Sequence, residues 1–361
     1  GGEPGIGKST LMLQTAAALD SRRVLYVSGE ESARQIRLRA ERLGATADID
    51  LLCDGDTASI TRALDERSPE LIVIDSVQSL HSAEAGPYPG TVNQIKYSTY
   101  EILDWVRAHD AAVFFVAHVT KEGSIAGPKV IEHMVDSVLY FEHAEEHLRI
   151  LRASKNRFGS TDEIGLFAME GQGLREVTDP ASVFLVQREG SLPAGVVVAP
   201  VYEGSRILLV EIQALTVPAK GGVSRTFSDR IDSRRISRVA AVLEKHVGVS
   251  FSDQDIYVNV AGGIRIGEVG VELPLALALY SARTGMSVPT ATTVTGEISL
   301  AGEIRPVAQL RRRLRAAREM GYERLVGPRR VREGEAPEEG WVRVDTVSDC
   351  IKAVFGAGGR G

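Results

Sequence analysis

Cysteine and tryptophan are scarce, with two of each in 361 residues, and aromatic side chains make up only 6%. Cys53 and Cys350 stand far apart, so they supply neither a disulfide framework nor a four-ligand zinc site. Both read as ordinary thiols, which suits a reducing, cytoplasmic compartment. No apolar run approaches the roughly 18 residues of a membrane-spanning helix, and no secretory leader is visible, so no membrane partner is expected. An excess of positive charge is also missing. Against 42 Lys and Arg stand 48 Asp and Glu, for a net charge of -6, so any hold on nucleic acid must come from local patches. The amino terminus lacks a strand. Gly1 to Pro4 already lie inside a motif that ordinarily follows a buried strand, and the sequence reads as part of a longer protein.

What is present describes a globular chain, 43% apolar and 25% charged, long enough for two domains. From Lys8 to about Glu170, helical spacing at 11–19, 31–43, 57–67 and 93–108 alternates with short apolar runs at 24–27, 49–52, 71–74 and 112–117. That alternation predicts an α/β domain on a mostly parallel sheet. After Asp136 the helical signal stops, and 138–141, 148–153 and 164–168 read as an antiparallel extension of the same sheet. A glycine-rich stretch at 171–181 marks the boundary. The expected parsing is a nucleotide-binding domain over 1–172, a linker and start of the second domain over 173–192, an α+β domain over 193–356 and a tail at 357–361. No internal repeat of useful length is present.

Gly2-Glu3-Pro4-Gly5-Ile6-Gly7-Lys8-Ser9 matches G-x-x-x-x-G-K-[ST] at every fixed position. Gly2, Gly5 and Gly7 let consecutive backbone N–H groups turn toward phosphate oxygens. Lys8 adds a point charge for the β- and γ-phosphates, Ser9 offers a hydroxyl to Mg²⁺, and Thr10 continues the helix whose positive end faces the anion. Asp75 closes the apolar run 71–74, the strand-then-Asp pattern of a Mg²⁺-shell carboxylate. Glu30 and Glu31 follow the run 24–27 at the ligand end of a parallel sheet. Glu30 is preferred as the base for an attacking water, and Glu31 suits the first turn of the next helix. His118, ending the run 112–117, is placed to sense a γ-phosphate or else to sit in the core.

These motifs, with Val27-Ser28-Gly29-Glu30-Glu31-Ser32, His118-Val119-Thr120-Lys121-Glu122-Gly123 and Lys155-Asn156-Arg157-Phe158-Gly159, resemble the bacterial RadA/Sms family over essentially the whole chain. The resemblance implies a RecA-like P-loop ATPase forming a homo-hexameric ring. It implies ATP and Mg²⁺ as cofactors, and single-stranded DNA and branched recombination intermediates as partners. It also implies work alongside RecA recombinase in DNA repair and branch migration. By it, Lys155 and Arg157 reach the γ-phosphate of a neighbouring subunit. The family's N-terminal four-cysteine zinc module is missing here, so zinc is not carried over. Pore-lining loops are implied at 81–92 and 121–129, with Tyr88 stacking on a base and Lys121 and Lys129 on phosphates.

The region from Ala194 resembles a Lon protease domain, most closely over 295–306. Lon-type peptidases pair a Ser nucleophile with a Lys base. Those positions hold Gly270 and Arg311, so no peptidase activity is expected. Nine arginines between Ala301 and Arg330, Arg305, Arg311 and Arg312 among them, and a second cluster of Arg225, Arg230, Arg234, Arg235 and Arg238, suggest a DNA platform, an assembly surface, or both. Two other readings use the same phosphate loop: a KaiC-like regulatory ATPase acting on protein, and an ATP-dependent Lon-type peptidase. The arginine clusters and the Lys155–Gly159 signature weigh against the first, Gly270 and Arg311 against the second.

Overall fold

The computed structural model describes residues 1–361 except 20–22, 46, 87, 89, 119–125, 145–146, 162, 180, 187, 189–190, 205, 220–223, 332–338 and 357–361. The chain divides into two compact units, Gly1–Val177 and Thr178–Gly361.

The first unit opens with helix α1 (Lys8–Ala17), followed by β1 (Val24–Ser28), α2 (Ala33–Arg42), β2 (Asp50–Leu52), α3 (Thr57–Arg67), β3 (Leu71–Asp75), α4 (Val92–His109) and β4 (Ala112–Val116). The four strands pair in parallel in the order β2-β1-β3-β4. Every residue of β1 and β3 is buried, because helices cover both faces of a parallel sheet, and this explains their unbroken apolar runs. Leu25, Val27, Ile72 and Ile74 pack with Ile60 and Leu64 of α3 and Ile102 of α4. Truncating one such residue to Ala costs about 2–5 kcal/mol. Helix starts are locally encoded. Gln35 accepts from the Ser32 amide before α2, and Thr91 caps α4 through the Gln94 amide.

Next come α5 (Ala126–Met134), β5 (Ser137–His143), β6 (Leu148–Asn156), β7 (Ile164–Glu170) and β8 (Gly173–Glu176). The last four strands pair antiparallel with one another, and the amino-terminal residues connect them to the parallel sheet. Gly2 lies between the two sheets, bridged to His118 on one side and Phe141 on the other. Helix α5 falls where the sequence suggested a loop, so Lys129 stands exposed on a helix. The strand Gly173–Glu176, expected in a linker, belongs to the first unit. The Leu174 amide and carbonyl bond the Gln14 side chain of α1 at 2.9 and 3.0 Å.

The second unit contains α6 (Ala181–Phe184), β9 (Val196–Glu203), β10 (Arg206–Pro218), β11 (Thr226–Phe227), α7 (Ser233–Val247), β12 (Gln254–Val260), α8 (Glu272–Thr284), β13 (Thr292–Val294), β14 (Glu297–Ile298), β15 (Ile304–Arg305), α9 (Leu310–Glu319), β16 (Arg324–Pro328), β17 (Trp341–Val344) and α10 (Val347–Phe355). Seven strands make one mixed sheet, ordered β11-β12-β10-β9-β13-β16-β17. Residues Glu272–Ser281 of α8 are all buried, as a helix apolar on every side must be. Asp232 caps α7, and Gly248 ends it in a left-handed turn. Among the described residues no helix is long and apolar enough to cross a membrane.

Candidate nucleotide-binding site

The carboxyl ends of β1, β3 and β4 deliver Glu30, Asp75 and His118 to the same edge of the parallel sheet, where open α/β folds bind ligands. The phosphate loop lies at that edge. Gly7 takes φ +111°, and a Cβ there would sit 2.5 Å from the Met169 Cε. A Cβ on Gly2 would lie 2.6 Å from the Phe141 carbonyl oxygen. Helix α1 begins at Lys8 with no side-chain cap and no acid in its first turn. Its leading amides, with the positive end of the helix, are therefore left for an anion.

Lys8 is only 8% exposed, and its ammonium donates to the carbonyls of Gly2 and Glu3, each at 2.8 Å. Burial lowers its pKa to about 8, opposed in part by Asp75 and Glu30. A buried cation whose hydrogen bonds, among the described residues, go to loop carbonyls gains much from a triphosphate, so loop, helix start and lysine fit such a ligand. Ser9 and Thr10 follow in the first helical turn, both half-buried. Among the described residues no group of three or more His, Cys, Asp or Glu is arranged to hold a metal ion. A magnesium ion here would be held by Ser9, Asp75 and water and, above all, by phosphate oxygens, the mode its octahedral demands favour.

Asp75 is buried at the end of β3, and its Oδ2 accepts a 2.5 Å hydrogen bond from the Tyr26 hydroxyl. The two adjacent glutamates have different surroundings. Glu31 is gripped by both terminal nitrogens of Arg39 at 2.5 and 2.7 Å. Glu30 accepts from the Ser76 hydroxyl at 2.5 Å and lies 3.7 Å from the Nε2 of His118. Burial, then the nearby Lys8, holds the His118 pKa below its ordinary value against the pull of Glu30 and Asp75. Among the described residues the Nδ1 of His118 and the Oε1 of Gln78, both buried, find no hydrogen-bond partner, while the Gln78 amide donates to the His118 carbonyl at 3.2 Å.

The Lys155–Gly159 signature forms the end of β6 and the turn beyond. The Lys155 ammonium donates to the Glu132 and Val135 carbonyls at 2.7 and 2.6 Å, so it closes the carboxyl end of α5. Arg157 is exposed and paired with Asp136 at 3.0 Å. The Asn156 side chain pins the turn by accepting from the Phe158 amide and donating to the Ser160 carbonyl, both at 3.1 Å. In the loop at 81–92, the buried Gln94 side chain bonds the Ser82 amide and carbonyl at 2.7 and 3.0 Å, and Tyr88 is exposed. Lys121 lies outside the described residues.

Residues 1–124 match the family described as AAA domain, and residues 229–330 match that described as subunit ChlI of Mg-chelatase. Over nearly its whole length the chain is similar to proteins named DNA repair protein RadA. It is 54% identical to that of Treponema pallidum (strain Nichols), covering 98% of this chain and 78% of the relative. Identity is 46% with that of Brucella abortus (strain 2308), over 91% and 72%, and 41% with that of Bacillus subtilis (strain 168), over 99% and 79%. The chain belongs to the RadA family. Its architecture is accordingly a RecA-like P-loop domain followed by a Lon-protease-like domain.

In the Lon-like domain the candidate basic residues separate. Arg305 is exposed and 3.5 Å from Glu297, Arg311 is exposed, and the exposed Arg312 lies over the Tyr202 ring at 6.0 Å. Others in the two arginine clusters are held by carbonyls and acids of the same domain. Arg235 donates to the Glu268 and Gly267 carbonyls, each at 2.9 Å, and Arg238 meets the buried Glu272. Arg313 is completely buried. The guanidinium beside Gly270 is that of Arg313, not of Arg311 as sequence position suggested: a Cβ on Gly270 would lie 3.4 Å from it. Arg313 grips Glu268 at 2.5 and 2.8 Å and donates to the Ala308 carbonyl at 2.9 Å. The Thr295 hydroxyl lies there too, 3.3 Å from that Cβ position, and donates to the Gly270 carbonyl at 3.4 Å.

Tyr26, Ser76, Gln78 and Arg313 are the residues that motif reasoning missed. The signal for Tyr26 was a polar tip inside the otherwise apolar Val24–Val27 run, since a buried hydroxyl needs a partner. Nothing in the run Arg311–Arg313 distinguishes the inward arginine except helical phase. Arg313 follows Leu310, and Leu310, Arg313 and Leu314 are the buried positions of that turn.

Proposed function

We propose that the chain is an ATP-hydrolysing motor acting on DNA in repair and homologous recombination. It promotes branch migration of intermediates on single-stranded DNA as a homo-hexameric ring in the cytoplasm, beside the RecA recombinase. The observation that carries this reading is Glu30, turned by Ser76 toward His118 at the edge where the buried Lys8 and the uncapped α1 meet. The loop amides of Gly2, Gly5, Gly7, Lys8, Ser9 and Thr10 hold the triphosphate, and Lys8 neutralises charge on its outer phosphates. Bound Mg²⁺ supplies further positive charge to the phosphates. Ser9 and Asp75 hold its shell. Glu30 takes the proton of the attacking water, and His118 beside it reports the γ-phosphate.

Arg157, exposed on a pinned turn, is the cation offered to the next subunit's phosphate. Lys155 supports it through α5, since its own ammonium is engaged by the Glu132 and Val135 carbonyls. Tyr88, Lys121, Lys129, Arg305, Arg311 and Arg312 are the proposed DNA contacts. The test is ATP turnover by the full-length protein with and without single-stranded DNA. Turnover stimulated by DNA and lost in Lys8→Ala is expected. Turnover indifferent to every DNA tested would favour a protein-directed regulatory ATPase.

A further inference from the structure

Asp75 is held from behind by a residue outside every nucleotide motif. Tyr26 stands on β1 opposite Val73 of β3. Because strand side chains alternate, Val73 and Asp75 share a face, and the Tyr26 ring packs on that face with Leu13, Ile36 and Val73. The ring is 1% exposed, so its hydroxyl has little choice of partner, and it donates to the Asp75 Oδ2 at 2.5 Å. A carboxylate on a strand end can rotate about its last torsion, which is broad and two-fold. A short bond to one oxygen, from a rigid buried ring, fixes that rotation.

We propose that Tyr26 is the positioning residue of Asp75, fixing one carboxylate oxygen so that the other is presented to the Mg²⁺ shell of a bound nucleotide. This rests on the ATP reading of the loop. Tyr26 touches neither nucleotide nor metal and acts only through Asp75. The phenol carries two separable features. Its ring fills the space between α1, α2 and β3, which phenylalanine does equally well. Its hydroxyl orients Asp75, which phenylalanine cannot do.

The test uses the full-length protein and a fluorescent ADP analogue, titrated with Mg²⁺ and in its absence, together with ATP turnover against Mg²⁺ concentration. Tyr26→Phe should leave Mg²⁺-free nucleotide affinity unchanged. It should raise the Mg²⁺ concentration for half-maximal effect about 10-fold, the size expected on losing one hydrogen bond to a charged group. Ile36→Val, which loosens the same cluster and keeps the hydroxyl, should leave that concentration unaltered. An unchanged Mg²⁺ midpoint in Tyr26→Phe, or an equal shift in Ile36→Val, overturns the proposal. If the parent binds nucleotide without hydrolysing it, the motor reading fails while the Mg²⁺ titration still decides the role of Tyr26. If it binds no nucleotide, both fall.

Discussion

A glycine and a nearby basic residue mark the start of a helix in each domain, Gly7 with Lys8 at α1 and Gly270 with Arg313 at α8, and the two arrangements do opposite things. Among the described residues the polar groups around Lys8 are incompletely matched: uncapped amides, an ammonium hydrogen-bonded to loop carbonyls, and a histidine nitrogen and a glutamine oxygen with no partner. Around Arg313 every strong group has found another. The guanidinium has Glu268 and the Ala308 carbonyl, and Glu268 also accepts from the Tyr202 amide at 2.7 Å. Buried polar groups that lack partners are costly, and a ligand that supplies those partners recovers the cost. A network closed on itself has nothing left to offer. The first site is therefore built to receive, and the second to hold its own fold together.

The sharpest way to break this contrast is to remove the central cation of the first site. Lys8→Ala should lower ATP turnover by roughly 10²-fold or more, as expected when a fixed charge is taken from a phosphoryl-transfer site, while urea unfolding of the protein stays near that of the parent. A large loss of stability instead would mean that Lys8 serves the fold, as Arg313 does. Next in size, Arg157→Ala should cut turnover of the assembled ring about 10³-fold with nucleotide affinity retained, the signature of a cation supplied between subunits. Normal turnover in assembled rings would end that assignment.

Arg313 should behave the other way round. Arg313→Leu leaves Glu268 in the interior without its cation, and breaking a buried pair from one side costs about 3–5 kcal/mol. Urea denaturation of the full-length protein should show that loss in the Lon-like domain. Arg313→Leu combined with Glu268→Leu should recover most of it, since a well-packed apolar pair often replaces a buried ion pair at no cost. Nucleotide affinity should be unaffected in both. If the single variant is as stable as the parent, the contrast between the two sites fails on its second half.

How far the sequence reveals these sites follows the same division. The phosphate loop is read from eight contiguous residues, because its chemistry is backbone chemistry and local glycines dictate it. Asp75 and Glu30 are legible too, as acids that end buried strands. Tyr26 is not, since its role depends on β1 lying beside β3, a pairing of residues 49 positions apart. The arginine run after Leu310 misleads for a related reason: charge composition suggests an exposed basic face, but helical phase turns one of three successive arginines into the core. Lys155 shows the same limit, for only the fold reveals that its ammonium ends at the α5 carbonyls.

The smallest expected effect probes how incompletely Lys8 is matched. Burial lowers its pKa to about 8 in the ligand-free protein, and phosphate oxygens must raise it again on binding, because an opposite charge favours the ammonium. Below about pH 8 the lysine is already charged, and binding needs no proton. Above it the neutral amine must take one up, so nucleotide affinity should fall by up to about 10-fold per pH unit as pH rises. His118, whose pKa is pushed below its ordinary value, stays neutral through that window and contributes nothing. Calorimetry near pH 9 in buffers of different ionisation enthalpy should therefore report net uptake of a fraction of a proton. The uptake should vanish in Lys8→Arg, whose guanidinium remains charged. If parent and variant give the same proton count, the lowered pKa plays no part in binding, and Lys8 is as well matched without its ligand as Arg313 is within its own network.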